Sequence, residues 1–292
     1  MLSQLVNALL AEQKGDALAP IARPARVPLA YYASAVDIDG WVQRRLIAPY
    51  VGIMGVVEKD GDPLWYELSR RDLQPMIYFA SRPESIFWAL DVLMGSFTFS
   101  SSPRHVAMYV ISRRAPHEWW VMRHGKRNQP WFSRRQIELA HKYKQPTEYF
   151  HAYGQPGTNA ANGSVLGLAG VAEQRTWGRH FDGAHLLVIE DLADAWKWWS
   201  DDARANLPYI LDVGKAHHIG VVAGLRYEDV PRVPGEILAR FGWQVWGRVE
   251  GKDSDIVPAN AHVLDVLLSL EVDEFIMNTS SDGWLKFYLP AT

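Results

Sequence analysis

The stretch His185 to Leu192, HLLVIEDL, decides how the chain is read. Four apolar residues, Leu186 to Ile189, run directly into the carboxylates Glu190 and Asp191. A short continuous apolar run of this kind predicts a strand buried on both faces, as in a parallel sheet. Open α/β sheets place ligands at the carboxyl ends of their strands, so two acids there read as a site. A plain core strand that meets solvent and starts a helix would have the same local sequence, so the neighbouring segments have to decide.

Working outward, similar runs recur. Met76 to Ala80 (MIYFA) and Val106 to Ile111 (VAMYVI) are buried-strand candidates, as are Gly220 to Ala223 and Trp243 to Val249. Between them lie helical patterns. One follows Pro83 through Ile86, Ala89, Leu90 and Leu93, where Pro83 and Glu84 suit a first turn. Others are predicted over Ser133 to Lys144, Val165 to Trp177, Ser200 to His217, Pro234 to Phe241 and Ala259 to Leu270. Val51 to Val57 and Leu64 to Leu68 make a hairpin across Lys59-Asp60-Gly61-Asp62, and Phe275 to Met277 pairs with Trp284 to Leu289 across Ser281-Asp282-Gly283. Tyr149 to Ser164 reads as a loop of ~15 residues. Trp119 to Met122 is a short strand candidate. Alternation of strand and helix predicts a mostly parallel sheet with helices on both faces and a C-terminal hairpin.

Bulk properties narrow the classes. The 292 residues are 48% hydrophobic and 22% charged with a net charge of −3, an ordinary globular balance with no overall basic field. There is no cysteine, which removes disulfides and thiolate chemistry and fits a cytoplasmic protein. No run approaches ~18 apolar residues. Residues 1–27 read as an amphipathic helix (Leu2, Leu5, Leu9, Leu10) followed by a Pro/Arg-rich linker, with one domain over 28–292.

In order and spacing, these segments resemble the motor domain of the FtsK/SpoIIIE (HerA/FtsK-type) DNA translocases and related type VII secretion ATPases, from about Pro28 onward. VGIMGVVEKDGDPLWYEL is similar to the family's lead-in to the nucleotide site, with Gly61-Asp62-Pro63 on its "G-x-P". MIYFA stands on the strand entering the phosphate loop, VAMYVI on the next strand, and HLLVIED on the acid-ended strand. IGVVAGLR (219–226) is similar to "H-hhh-A-T-Q-R-P", ILARFGWQVWGRV (237–249) to the following helix and strand, and Phe287-Tyr288-Leu289-Pro290 to the terminal "hhLP". The resemblance implies a RecA-like P-loop NTPase fold. It also implies Mg-ATP as cofactor, Glu190 and Asp191 as catalytic and magnesium-ordering acids, and partners that include DNA, a competent motor subunit and an oligomeric ring.

The departures fall on the chemistry. A phosphate loop needs G-x-x-x-x-G-K-[ST], whose glycines let backbone amides curl around phosphate and whose lysine neutralises it. The corresponding segment, Ala80-Ser81-Arg82-Pro83-Glu84-Ser85-Ile86, has neither glycine nor lysine. Arg82 and Ser85 are its remaining nucleotide-binding candidates. Glu then Asp replaces the family's Asp then Glu, moving each carboxylate by one methylene (~1.5 Å), a scale that can cost ~10²-fold in a catalytic step. Leu225 replaces the glutamine before Arg226, and Ser112-Arg113-Arg114 replaces "D-P-K".

The leading expectation is therefore a catalytically degenerate FtsK-like domain, not an active ATPase on its own, serving as a DNA-associated or motor-associated structural or regulatory subunit. One alternative is a weak or trans-completed ATP-binding translocase that uses Glu190 and Asp191. Another is a nucleic-acid-binding module, with phosphate contacts from Arg113, Arg114, Arg123, Lys126 and Arg127 and stacking from Trp119, Trp120, Trp131 and Phe132. Arg226, Arg240 and Arg248 are candidates for an arginine acting in trans. No zinc-protease or Ser-hydrolase motif occurs.

Overall fold

The computed structural model describes residues 50–70, 72–101, 105–114, 150–177, 183–253, 261–279 and 283–290. The helix and linker expected at the N-terminus, the strand expected at Trp119 to Met122, the basic segment with Arg123, Lys126 and Arg127, and the helix expected from Ser133 fall outside the described residues. No helix among the described residues is long and apolar enough to cross a membrane.

The expected hairpin forms from β1 (Val51–Val57) and β2 (Pro63–Glu67), turning through Gly61 at φ 76°. β3 (Met76–Ala80) leads into α1 (Pro83–Ser100), and β4 (Val106–Ile111) follows. β5 (Phe150–Gly154), α2 (Asn159–Thr176), β6 (Ala184–Ile189), α3 (Leu192–Trp198) and α4 (Asp201–Val213) come next. The chain closes with β7 (Ile219–Arg226), α5 (Gly235–Leu238), β8 (Trp243–Gly247), α6 (Ala261–Ser269), β9 (Glu274–Thr279) and β10 (Gly283–Tyr288).

All ten strands join one sheet in the order β2-β1-β10-β9-β8-β3-β7-β6-β4-β5. From β8 to β5 the pairing is parallel. From β8 back to β2 it is antiparallel, so the C-terminal hairpin bridges the N-terminal hairpin to the parallel block. The continuous apolar runs have a simple cause. Side chains alternate across a strand, so Tyr78, Leu186 and Val188 pack under α1 with Leu90, Leu93 and Phe97. Phe79, Leu187 and Ile189 face the opposite layer with Leu168, Leu207 and Ile237 from α2, α4 and α5. Both faces are covered, so no polar alternation appears in β3 or β6.

Several boundaries differ from the sequence reading, and the helix α3 was not expected. The supposed loop from Tyr149 to Ser164 contains β5 and the start of α2. β5 is formed by parallel pairing to β4, a long-range contact with no local signature. Thr158 caps α2 by accepting from Ala161 N at 3.3 Å, while Gly163, a poor helix former, masks the helix in sequence. β7 is also longer than expected, because β6 pairs with its first part, Ile219 to Ala223, and β3 with its last, Val222 to Arg226.

An aromatic stack braces the ends of β3, β7 and β8. Phe79 and Trp246 lie with ring centroids 4.5 Å apart, and Tyr227 stacks on Trp246 at 6.2 Å. The buried Tyr227 hydroxyl donates to Gly247 O at 2.9 Å, and burial pushes its pKa well above the ordinary phenol value. Tyr227→Phe keeps the stack and removes only this bond, so urea denaturation is expected to show a loss of about 1 kcal/mol.

Candidate functional site

Two places carry the predicted chemistry, and both lie at the carboxyl ends of parallel strands. The first is the turn from β3 into α1. Only Ser81 and Arg82 separate Ala80 from Pro83, so there is no length of backbone to curl around a phosphate. The turn is tied instead to the segment after β8. Ser81 Oγ donates to the buried Asp253 Oδ2 at 2.5 Å and accepts from Glu250 N at 2.8 Å. Ser81 N donates to Arg248 O at 3.1 Å. Arg82, 59% exposed, pairs with Glu250 at 2.5 Å. Ser85 is buried, and its hydroxyl meets no hydrogen-bond partner among the described residues. Ser81 and Arg82 are therefore engaged by the chain's own carboxylates, Asp253 and Glu250.

The second place is a cleft of about 530 Å³ where β4, β6 and β7 end. Glu190, 4% exposed, sits in its floor. Ser112 Oγ donates to its Oε2 and Arg114 Nε to its Oε1. The Arg114 guanidinium also donates to Asp91 of α1 at 3.0 Å and lies over the Phe87 ring, 4.5 Å from its centroid. The result is a buried Asp91–Arg114–Glu190 chain that joins α1, the end of β4 and the end of β6. Burial pushes the Glu190 carboxyl above its usual range, against the pull of Arg114 and Ser112.

Asp191 caps α3, accepting from Asp194 N at 3.0 Å. Burial raises its pKa as well, with Asp229 and Asp194 adding to the effect. Around the mouth, Arg113 grips Asp194 through two bonds of 2.5 and 2.7 Å. Arg226 and Arg232 share the buried Asp229, each at 2.5 Å, and Arg226 also reaches Glu228 at 2.5 Å.

The structure thus gathers Glu190, Asp191, Arg113 and Arg226 around one cleft, with Arg114 bonded to Glu190 and with Arg82 and Ser85 at the turn after β3. Arg240 and Arg248 do not line this cleft: Arg248 adjoins the turn through its backbone, with Ser81 N donating to its O. Arg240 pairs with Asp212 of α4, and Arg248 stands 4.0 Å from Glu271. Asp91, Asp194, Asp229 and Arg232 were not singled out from sequence. Asp91 had a readable signal, a lone carboxylate within the apolar helix SIFWALDVLM. Asp229 also had one, being three residues from both Arg226 and Arg232.

As a magnesium–nucleotide site the donor set does not fit. Both Glu190 oxygens already accept hydrogen bonds, and Asp191 spends one oxygen on a helix end. Among the described residues no group of three or more His, Asp or Glu could hold a metal ion.

No known protein-family model and no curated protein matches the sequence. Solved structures do share the fold. The cytoplasmic domain of the Thermomonospora curvata type VII secretion ATPase EccC superposes with a TM-score of 0.59 at 12% identity, covering 94% of this chain and 30% of that one. EssC (ATPases 2 and 3) from Geobacillus thermodenitrificans gives 0.58 at 9% identity, covering 99% and 49%. The pCW3 conjugation coupling protein TcpA, solved as a monomer with ATPγS, gives 0.52 at 14% identity, covering 91% and 82%. The chain spans 30% of the EccC chain and 49% of the EssC chain. A ten-stranded, mostly parallel sheet with helices on both faces, matched to these ATPases across nearly its whole length, gives this chain the RecA-like P-loop ATPase fold that these domains share.

Proposed function

We propose that this chain is a catalytically degenerate FtsK-like domain that serves as a structural or regulatory partner of a competent motor domain. The carrying observation is the two-residue turn between β3 and α1, tied by Ser81 and Arg82 to Asp253 and Glu250 where a phosphate cradle would stand. The engagement of Glu190 by Arg114 and Ser112 supports the same reading from the other side of the site. A non-hydrolysing domain acting beside a working one suits a fold found in EssC as numbered, tandem ATPases.

Nucleic acid is the second partner class. Arg113 and Arg114 contribute to it only by exchanging their present carboxylates for phosphate, and Arg123, Lys126 and Arg127 would carry the remaining contacts.

Nucleotide binding tests the proposal. Thermal shift and calorimetry with magnesium and millimolar ATP are expected to show no response. A ligand at ~100 Kd would add ~2.7 kcal/mol of stability, an easily visible shift. A magnesium-dependent shift that disappears in Glu190→Gln would restore the trans-completed or weak ATPase reading. Steeply salt-dependent DNA binding without any nucleotide response would make nucleic acid the partner in place of a motor subunit.

A further inference from the structure

α2 is an outer-layer helix without a charged side along most of its length. Its inner face, with Ala161, Val165, Leu168 and Ala172, packs into the core. The outer face of such a helix ordinarily carries charge. That of the neighbouring α4 does, with exposed Asp201, Asp202 and Asp212. Residues 159–172 of α2 contain no charged side chain. Outward, the helix instead presents Leu166, 39% exposed, and Trp177 at its C-terminal end, 79% exposed. These two positions are three turns apart, so they mark one stripe about 16 Å long. A helix that is apolar on both sides is one that is covered on both sides.

The described chain begins beside the end of this stripe. The Tyr50 ring lies 6.4 Å from the His218 ring. His217, next in sequence to His218, places Nε2 3.1 Å from Thr176 Oγ1, and Trp177 follows Thr176 directly. Whatever precedes Tyr50 therefore departs from the C-terminal end of α2. The far end of that segment carries Leu2, Leu5, Leu9 and Leu10 at helical spacing. A helix from Leu2 to Leu10 is about 12 Å long and fits within the stripe from Leu166 to Trp177. A coil of the length of residues 11–49 spans ~35 Å on average, more than the ~27 Å length of α2.

We propose that the chain's own N-terminal stretch, Leu2 to Leu10, docks as a helix along the outer face of α2 and covers Leu166 and Trp177. Its leucines meet the apolar stripe, while Ser3, Gln4 and Asn7 form the side turned to water. Gly167 and Gly170, which carry no side chain, let the two backbones approach between the larger residues. Gly163 lies one turn beyond the contact. A tethered partner acts at a high effective concentration, so a contact of this modest size is enough. Neither Leu166 nor Trp177 lines the cleft at Glu190, so the docking stands apart from the nucleotide question.

The absence of cysteine allows a clean cross-linking test in the whole chain. Leu2→Cys, Leu5→Cys and Leu9→Cys are each combined with Gly170→Cys and oxidised at low protein concentration. At least one pair is expected to close an intramolecular disulfide. Gln4→Cys with Gly170→Cys, on the polar side of the stretch, is expected to stay reduced. Hydroxyl-radical labelling of the wild type does not depend on any variant folding. It should mark Trp177 less than Trp198, whereas an uncovered stripe would give the order of their 79% and 50% exposures. Leu5→Asp with Leu9→Asp should reverse the wild-type order. Disulfide-linked dimers in place of the internal bond would assign the face to a second copy and overturn the proposal. So would closure by Gln4→Cys as readily as by the leucine positions, failure of every leucine pair to close, or a wild-type Trp177 labelled more heavily than Trp198.

Discussion

Arg114→Met is expected to lower stability by about 3–5 kcal/mol, because it leaves a buried ionic group without its partner. Arg114 is 14% exposed, and the two carboxylates it joins, Asp91 and Glu190, are 7% and 4% exposed. Their mutual repulsion already contributes to the raised Glu190 pKa. Without the guanidinium, one of them must bind a proton or the floor of the cleft must open. Glu190→Gln should behave quite differently. A carboxyl whose folded pKa is raised supplies stability below its ordinary value and loses it as pH climbs through the folded value, so at neutral pH it is a liability that glutamine removes. Glutamine still accepts from Ser112, and Arg114 still has Asp91. That variant should stay within about 1 kcal/mol of wild type, and adding it to Arg114→Met should recover about 2 kcal/mol. Urea denaturation of the four chains at pH 7 closes the cycle. An Arg114→Met cost below about 1 kcal/mol would show that the chain Asp91–Arg114–Glu190 is not held as described.

Gly224→Val is the second large effect, about 3 kcal/mol or more of destabilisation, by overpacking. Gly224 lies in β7 between β3 and β6. A Cβ there would fall 2.5 Å from Glu190 O and closer still to Ile86 Cγ2. Neither neighbour can yield cheaply. One is strand-end backbone beside the buried acid, and the other belongs to the first turns of α1. Gly163, on the exposed side of α2, is the opposite case, since nothing lies within 4 Å of an added Cβ. Gly163→Ala should raise stability by about 0.5–1 kcal/mol through helix propensity alone. Opposite signs from these two glycines in thermal denaturation would separate close packing from backbone freedom. Equal small effects would contradict the packing of β7 against α1.

Much of the fold was legible because each central strand is buried on both faces. MIYFA, VAMYVI and HLLVIED read as strands with no help from distant residues, and α1, the later part of α2 and α4 followed from periodicity, whereas α3 was not read as a helix. The altered phosphate segment was equally plain, since glycine and lysine are either present in a sequence or absent. β5 was not legible: five residues flanked by Gly, Asn and Pro become a strand only because β4 offers them an edge.

The candidate site divides in the same way. Sequence by itself determined that two acids end a buried strand, that the turn after β3 lacks the residues of a phosphate cradle, and that arginines follow β4 and β7. Those are properties of residue type and short spacing. Only the tertiary structure decided what the groups do to one another. Arg114 reaches Asp91 across 23 positions and Glu190 across 76, and Ser81 reaches Asp253 across 172. Such pairings depend on which strand ends lie side by side. That order is set by long-range sheet pairing and by burial on two faces, which no local window of the chain records.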